Sequence, residues 1–96
     1  MATIDIRRQH TLGKDVAKQK AETLAKGMES KLGIRWNWQG DHIKFDAPSG
    51  AAKGATGQVS VTDSDVRVEI DLPFLLRAVK GTIETRVNDE LNKLMG

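Results

Sequence analysis

The chain has 96 residues, 39% of them hydrophobic, and 15 Lys and Arg against 13 Asp and Glu give a formal charge of +2. That length holds one two-layer core and no second one, so a single domain over residues 1–96 is expected, and the near-balanced charge does not by itself call for a polyanionic partner. The absence of Cys and Tyr excludes disulfides, thiolate catalysis, sulfur-ligated zinc and tyrosine nucleophiles; with no signal-like N-terminus and no run of eighteen apolar residues, a soluble cytoplasmic protein without a membrane span is expected.

From Thr3 to His10, Ile4 and Ile6 alternate with Asp5 and Arg7, the period-two pattern of a half-buried strand. Continued, the alternation turns Arg8 and His10 inward. Thr11 is the expected cap of a helix over Lys14 to Leu32, whose apolar face is built from two rows, Val16, Leu24, Met28 and Leu32 beside Ala17, Ala21 and Ala25. Gly33 ends it. Gly27, inside the helix, costs about 1 kcal/mol relative to alanine and marks either close packing or local give. The local basic excess of Arg7, Arg8, Lys14, Lys18, Lys20 and Lys26 reads as a solvated face.

Ile34, Trp36 and Trp38 alternate with Arg35 and Asn37; Gln39, Gly40 and Asp41 turn the chain, and Ile43 and Phe45 alternate with Lys44 and Asp46. This is a hairpin. The small residues from Ala47 to Thr56 suggest a mobile loop with nothing large enough to anchor it. Gly57, Val59 and Val61 then form a strand, Thr62 to Asp65 a turn, and Val66, Val68, Ile70 and Leu72 a further strand. After Pro73 the period changes. Leu76, Val79, Ile83, Val87, Leu91 and Leu94 recur every three or four residues, predicting a long amphipathic helix.

The order β-α-β-β-β-β-α predicts an α+β fold with a five-stranded antiparallel sheet in the order 1-5-4-3-2 and both helices on its apolar face. A parallel pairing of the first strand with the second is the alternative. Gly81 leaves a gap in the middle of the last helix, where either the sheet or first helix packs closely, or a ligand or second subunit approaches.

His10 and His42 are the only imidazoles, one at an inward strand end and the other outward beside a turn, so they do not form a pair. Neither has an Asp or Glu at ligand spacing, and no metal and no cofactor is expected. Ser49, Ser60 and Ser64 stand in no GxSxG elbow. Gly50 to Gly57 imitates a phosphate loop, but its lysine precedes the second glycine and a strand follows where a helix is needed. Trp36 and Trp38 with Arg35 could stack single-stranded nucleic acid, although the alternation places both indoles on the core face. Arg8 and His10, pointing inward with no acid beside them, mark either a solvated strand end or the cationic mouth of an apolar groove between sheet and last helix, suited to an amphiphile with an acidic head.

With those residues placed, the chain resembles the polyhydroxyalkanoic acid system proteins, the polyhydroxyalkanoate granule region family, over nearly its whole length. The resemblance is carried by Ile6, Arg7, Arg8, His10 and Leu12; by Arg35, Trp36, Trp38, Gly40 and Asp41; by Gly57 before Val59; and by Leu72 to Leu76 with Lys80, Gly81, Ile83 and Glu84. It implies a bacterial cytoplasmic protein of storage-polyester metabolism, at the granule surface, with no catalytic residues to carry over. The architecture is also similar to a reduced helix-grip fold, in which lipid-like ligands bind between a curved sheet and a long C-terminal helix.

The leading expectation is therefore a non-enzymatic accessory protein that contacts a granule, a granule-associated protein or a hydroxyacyl ligand, with Arg8, His10, Trp36, Trp38, Phe74 and Gly81 as candidate ligand-binding residues. Two alternatives come from other classes. One is a hydroxyacyl-processing enzyme using His10 or Arg8; the other is a nucleic-acid-binding regulator using Arg7, Arg35 and Arg67 on the outer sheet face. An exposed edge strand or helix face would also allow a homodimer.

Overall fold

The computed structural model describes residues 3–50 and 52–95. Its elements are β1 (Ile4–Gln9), α1 (Lys14–Leu32), β2 (Arg35–Gln39), β3 (His42–Asp46), β4 (Thr56–Val61), β5 (Asp65–Asp71), a 3-10 helix (Phe74–Val79) and α2 (Lys80–Met95). The five strands form one antiparallel sheet in the order β1-β5-β4-β3-β2. β1 pairs with β5, which removes the parallel alternative.

Register explains why alternation survives into the fold. The pairs Ile6↔Val68, Val68↔Val59, Val59↔Ile43 and Ile43↔Trp38 string one apolar row across all five strands. A second row runs Ile4, Ile70, Gly57, Phe45, Trp36. Its glycine is required by space: a Cβ on Gly57 would lie 2.6 Å from the Phe45 ring and 2.2 Å from the Glu69 carbonyl oxygen. The two-residue turn between Gln39 and His42 places Gly40 at φ 63, a conformation glycine adopts without strain.

Both helices cover this apolar face. α1 buries Ala17, Ala21, Leu24, Ala25, Met28 and Leu32, and its alanines let the helix axis come close to the sheet. α2 buries Ile83, Val87 and Leu91. The helices also meet each other at Gly27, where an added Cβ would lie 2.9 Å from Glu90 Oε2, the movable end of a flexible side chain.

Several local expectations are corrected. β1 stops at Gln9, leaving His10 outside the strand, and Gly13 rather than Thr11 occupies the N-cap of α1. Val16 is 41% exposed because the buried stripe follows Ala17, Ala21 and Leu24, and Val16 falls at its edge in the first turn. The small-residue segment expected to be an unanchored loop is anchored. Ala47, Ala52 and Ala55 are buried, and the Ala47 and Gly54 amides donate to the Ala55 and Ala47 carbonyls at 2.9 Å. Small side chains here allow backbone, rather than a bulky residue, to close over the core. Ala51 lies outside the described residues.

The start of the C-terminal helix also departs from expectation. Phe74–Val79 is a 3-10 helix, which turns about 120° per residue where an α-helix turns about 100°. Val79, expected in the core row, is exposed, whereas Leu76 packs against the core and Ile83, Val87 and Leu91 are buried.

Candidate functional site

The uncovered face of the sheet carries charge that is largely paired within the sheet. Arg67 donates to both oxygens of Asp5, Nε to Oδ1 at 2.9 Å and Nη2 to Oδ2 at 2.6 Å. This hydrogen bonding holds the Asp5 carboxyl below its ordinary range and the Arg67 guanidinium further toward its charged form. Arg35 also pairs with a carboxylate, its Nε alone donating to both oxygens of Asp46, at 2.9 and 3.2 Å. Two of the three arginines considered for nucleic acid thus already have carboxylate partners.

The six candidate residues do not converge. Arg8 sits on the inner face of β1, half-buried, with Nη2 3.4 Å from the Asn88 side-chain oxygen on α2. His10 lies past the strand, where Nε2 donates to the Thr62 carbonyl at 3.0 Å and Nδ1 accepts the Leu12 amide at 3.2 Å. Both ring nitrogens are therefore occupied by backbone, an arrangement that ties the β1–α1 connection to the β4–β5 turn. Trp36 and Trp38 are on β2, at the opposite edge of the sheet from Arg8. Their indole N–H groups donate to Glu29 and Glu22 of α1, each at 3.0 Å, and the Lys18 ammonium stands 5.0 Å from the Trp38 ring. These contacts clamp α1 to the sheet edge.

Phe74 and Gly81 belong to a different region. Phe74 and Leu75 are 82% and 85% exposed, and Ala78 and Val79 follow them into solvent. Pro73 packs against the 47–55 loop, where a Cβ on Gly54 would meet its ring at 3.1 Å, so the segment leaves the sheet from a fixed base. Leu76 alone of the segment's large apolar side chains turns back to the core. A Cβ added at Gly81 would meet no atom within 4 Å outside its own helix backbone, so neither the sheet nor α1 explains this glycine; the helix surface is open there.

An open concavity of about 770 Å³ continues along α2 from Gly81, Thr82 and Thr85 to Arg86, Asp89, Asn92 and Lys93, with Lys31 of α1 on its rim. Its lining mixes charges of both signs. Beside it Glu90 contacts Lys31 directly and Lys93 at 3.8 Å, and chiefly the Lys31 hydrogen bond holds the Glu90 carboxyl below its ordinary range. Among the described residues no group of three or more His, Cys, Asp or Glu could hold a metal ion.

A family model described as "Putative polyhydroxyalkanoic acid system protein" matches residues 4–95, every strand and helix of the fold. The chain belongs to this polyhydroxyalkanoic acid system family. No curated protein and no solved structure matches it. No helix among the described residues of this polyhydroxyalkanoic acid system protein is long and apolar enough to cross a membrane.

Leu75, Arg77 and, at the start of α2, Lys80 are exposed and were not among the candidate ligand-binding residues, although Leu75 and Lys80 help carry the family resemblance. The signal that could have found them is the apolar triplet Phe74-Leu75-Leu76 directly after Pro73. Three consecutive apolar residues cannot all face one core from a helical turn, so at least one has to point away.

Proposed function

We propose that the protein is a non-enzymatic accessory component of bacterial polyhydroxyalkanoate storage, located in the cytoplasm at the granule surface, and that it attaches there through Phe74 and Leu75. The observation that carries this reading is the exposure of two adjacent large apolar side chains, 82% and 85%, in a chain whose other aromatic residues are buried or half-buried. Moving such a side chain out of water is worth about 1.5–3 kcal/mol, so the pair offers about 3–6 kcal/mol toward partition onto an apolar surface. That supports reversible attachment, reinforced where many copies share one particle.

Ligand capture between sheet and C-terminal helix has less behind it, since Ile83, Val87 and Leu91 fill that interface. A hydroxyacyl-processing role for His10 is weakened by the occupation of both its ring nitrogens. Nucleic-acid binding through Arg35 and Arg67 would first have to break their hydrogen-bonded carboxylate pairs.

Co-sedimentation with purified polyester granules tests the proposal. Wild-type protein should pellet, and the double variant Phe74→Ser, Leu75→Ser should pellet at least tenfold less with an unchanged thermal melt. Equal pelleting of both would overturn the assignment to this segment. Wild-type protein left in the supernatant would overturn attachment itself.

A further inference from the structure

Deepening that attachment reading, on which it rests, we infer that the surface recognised by the Phe74–Val79 segment is a lipid layer bearing anionic head groups. The basis is the company the two apolar side chains keep. Between Asp71 and Glu84 the chain contains Arg77 and Lys80 and no acidic residue. Both are exposed, and among the described residues neither forms an ion pair, as is also true of Arg7, Arg8, Lys20, Lys44, Lys53 and Arg86; what sets these two apart is their place beside two exposed large apolar side chains.

The backbone geometry aligns the two kinds of side chain. In a 3-10 helix residues three apart eclipse one another, so Arg77 follows Phe74 on one face while Ala78 follows Leu75 on the next. Three residues advance about 6 Å along the axis, comparable to the about 5–10 Å to which interfacial helices bury their apolar faces. Phe74 and Leu75 can then reach acyl chains while Arg77, and Lys80 at the start of α2, extend to the head groups. A neutral apolar surface would strip water from these cations and return no partner. An anionic one pairs with them, each basic residue contributing about fivefold in affinity, hence roughly twenty- to thirtyfold for two.

The test uses the full chain and three particles: vesicles of phosphatidylcholine alone, vesicles of phosphatidylcholine and phosphatidylglycerol in equal parts, and lipid-free polyester particles. The expected result is at least tenfold tighter binding to anionic than to neutral vesicles, with the excess lost at high salt. Arg77→Gln with Lys80→Gln should remove that excess. Lys44→Gln with Lys53→Gln, an equal charge change at exposed positions elsewhere, should retain it. Phe74→Ser with Leu75→Ser should weaken binding to both kinds of vesicle. Equal binding to the two vesicles, equal effects of the two charge pairs, or anionic binding indifferent to Phe74 and Leu75 would each overturn the inference. Binding to lipid-free polyester that depends on Phe74 and Leu75 but is matched by no preference for anionic vesicles would sink the lipid inference and leave granule attachment standing. Preference for anionic vesicles without any pelleting of native granules would do the reverse.

Discussion

The β2–β3 hairpin and the Phe74–Val79 segment share the chain's four aromatic residues and use them in opposite ways. Trp36, Trp38 and Phe45 are held between cross-strand neighbours and α1, with both indole N–H groups satisfied by glutamates. Phe74 stands in solvent beside Leu75, and the cations nearest to it in sequence have no carboxylate partner among the described residues. A sheet row fixes the side chains on it through cross-strand neighbours, and at the β2 edge the hydrogen bonds to α1 stand in for the missing strand. A helical turn leaving the end of β5 fixes only the large side chain that points back, here Leu76. The contrast separates side chains that hold the fold from side chains available to a partner.

Truncation should expose this difference most strongly. Phe45→Ala should lose about 3–5 kcal/mol of unfolding free energy in urea denaturation, whereas Phe74→Ala should stay within about 0.5 kcal/mol of wild type. A comparable loss at both positions would erase the distinction. The glycines give a second, smaller comparison. Gly57→Ala should cost about 1–3 kcal/mol, because its methyl meets the Glu69 carbonyl and the Phe45 ring. Gly81→Ala should instead stabilise by about 0.5–1 kcal/mol, as the site is open and helical; a destabilised Gly81→Ala variant would mean that something packs there in solution.

Smaller still are the clamps. Trp36→Phe and Trp38→Phe should each cost about 0.5–1.5 kcal/mol through the lost hydrogen bond to Glu29 or Glu22. The Lys31–Glu90 pair should give the smallest effect, visible mainly in its pH dependence. Folding lowers the Glu90 pKa, so the pair's contribution is present above the ordinary carboxylate range and is lost as pH falls through the folded value. Melting temperatures of wild type and Lys31→Met should therefore differ most near neutral pH and converge in acid; divergence in acid would contradict the pairing.

Much of the architecture was legible because alternation at period two is a local signal and register preserves it. Ile6, Val68, Val59 and Ile43 line up across the sheet as their spacing within each strand suggests. The site was less legible. Phe74 and Gly81 could be picked out, but their setting depends on what the fold places opposite them, which spacing within the chain does not report. Alternation groups Arg8 with His10, yet the strand ends between them, and one reaches α2 while the other braces a turn.

By itself, then, the amino-acid sequence determined the element order, the apolar face of the sheet and the family, since these rest on residue types and spacings that neighbours in the chain supply. Only the tertiary structure decided which apolar residues remain outside. Val79 stayed outside in the segment that leaves the sheet after Pro73, Val16 lies at the edge of the buried stripe, and Ala47, Ala52 and Ala55 were turned inward by backbone hydrogen bonds that close the loop. The physical reason is that burial depends on what lies opposite a side chain, and for Phe74 and Leu75 the fold places nothing there.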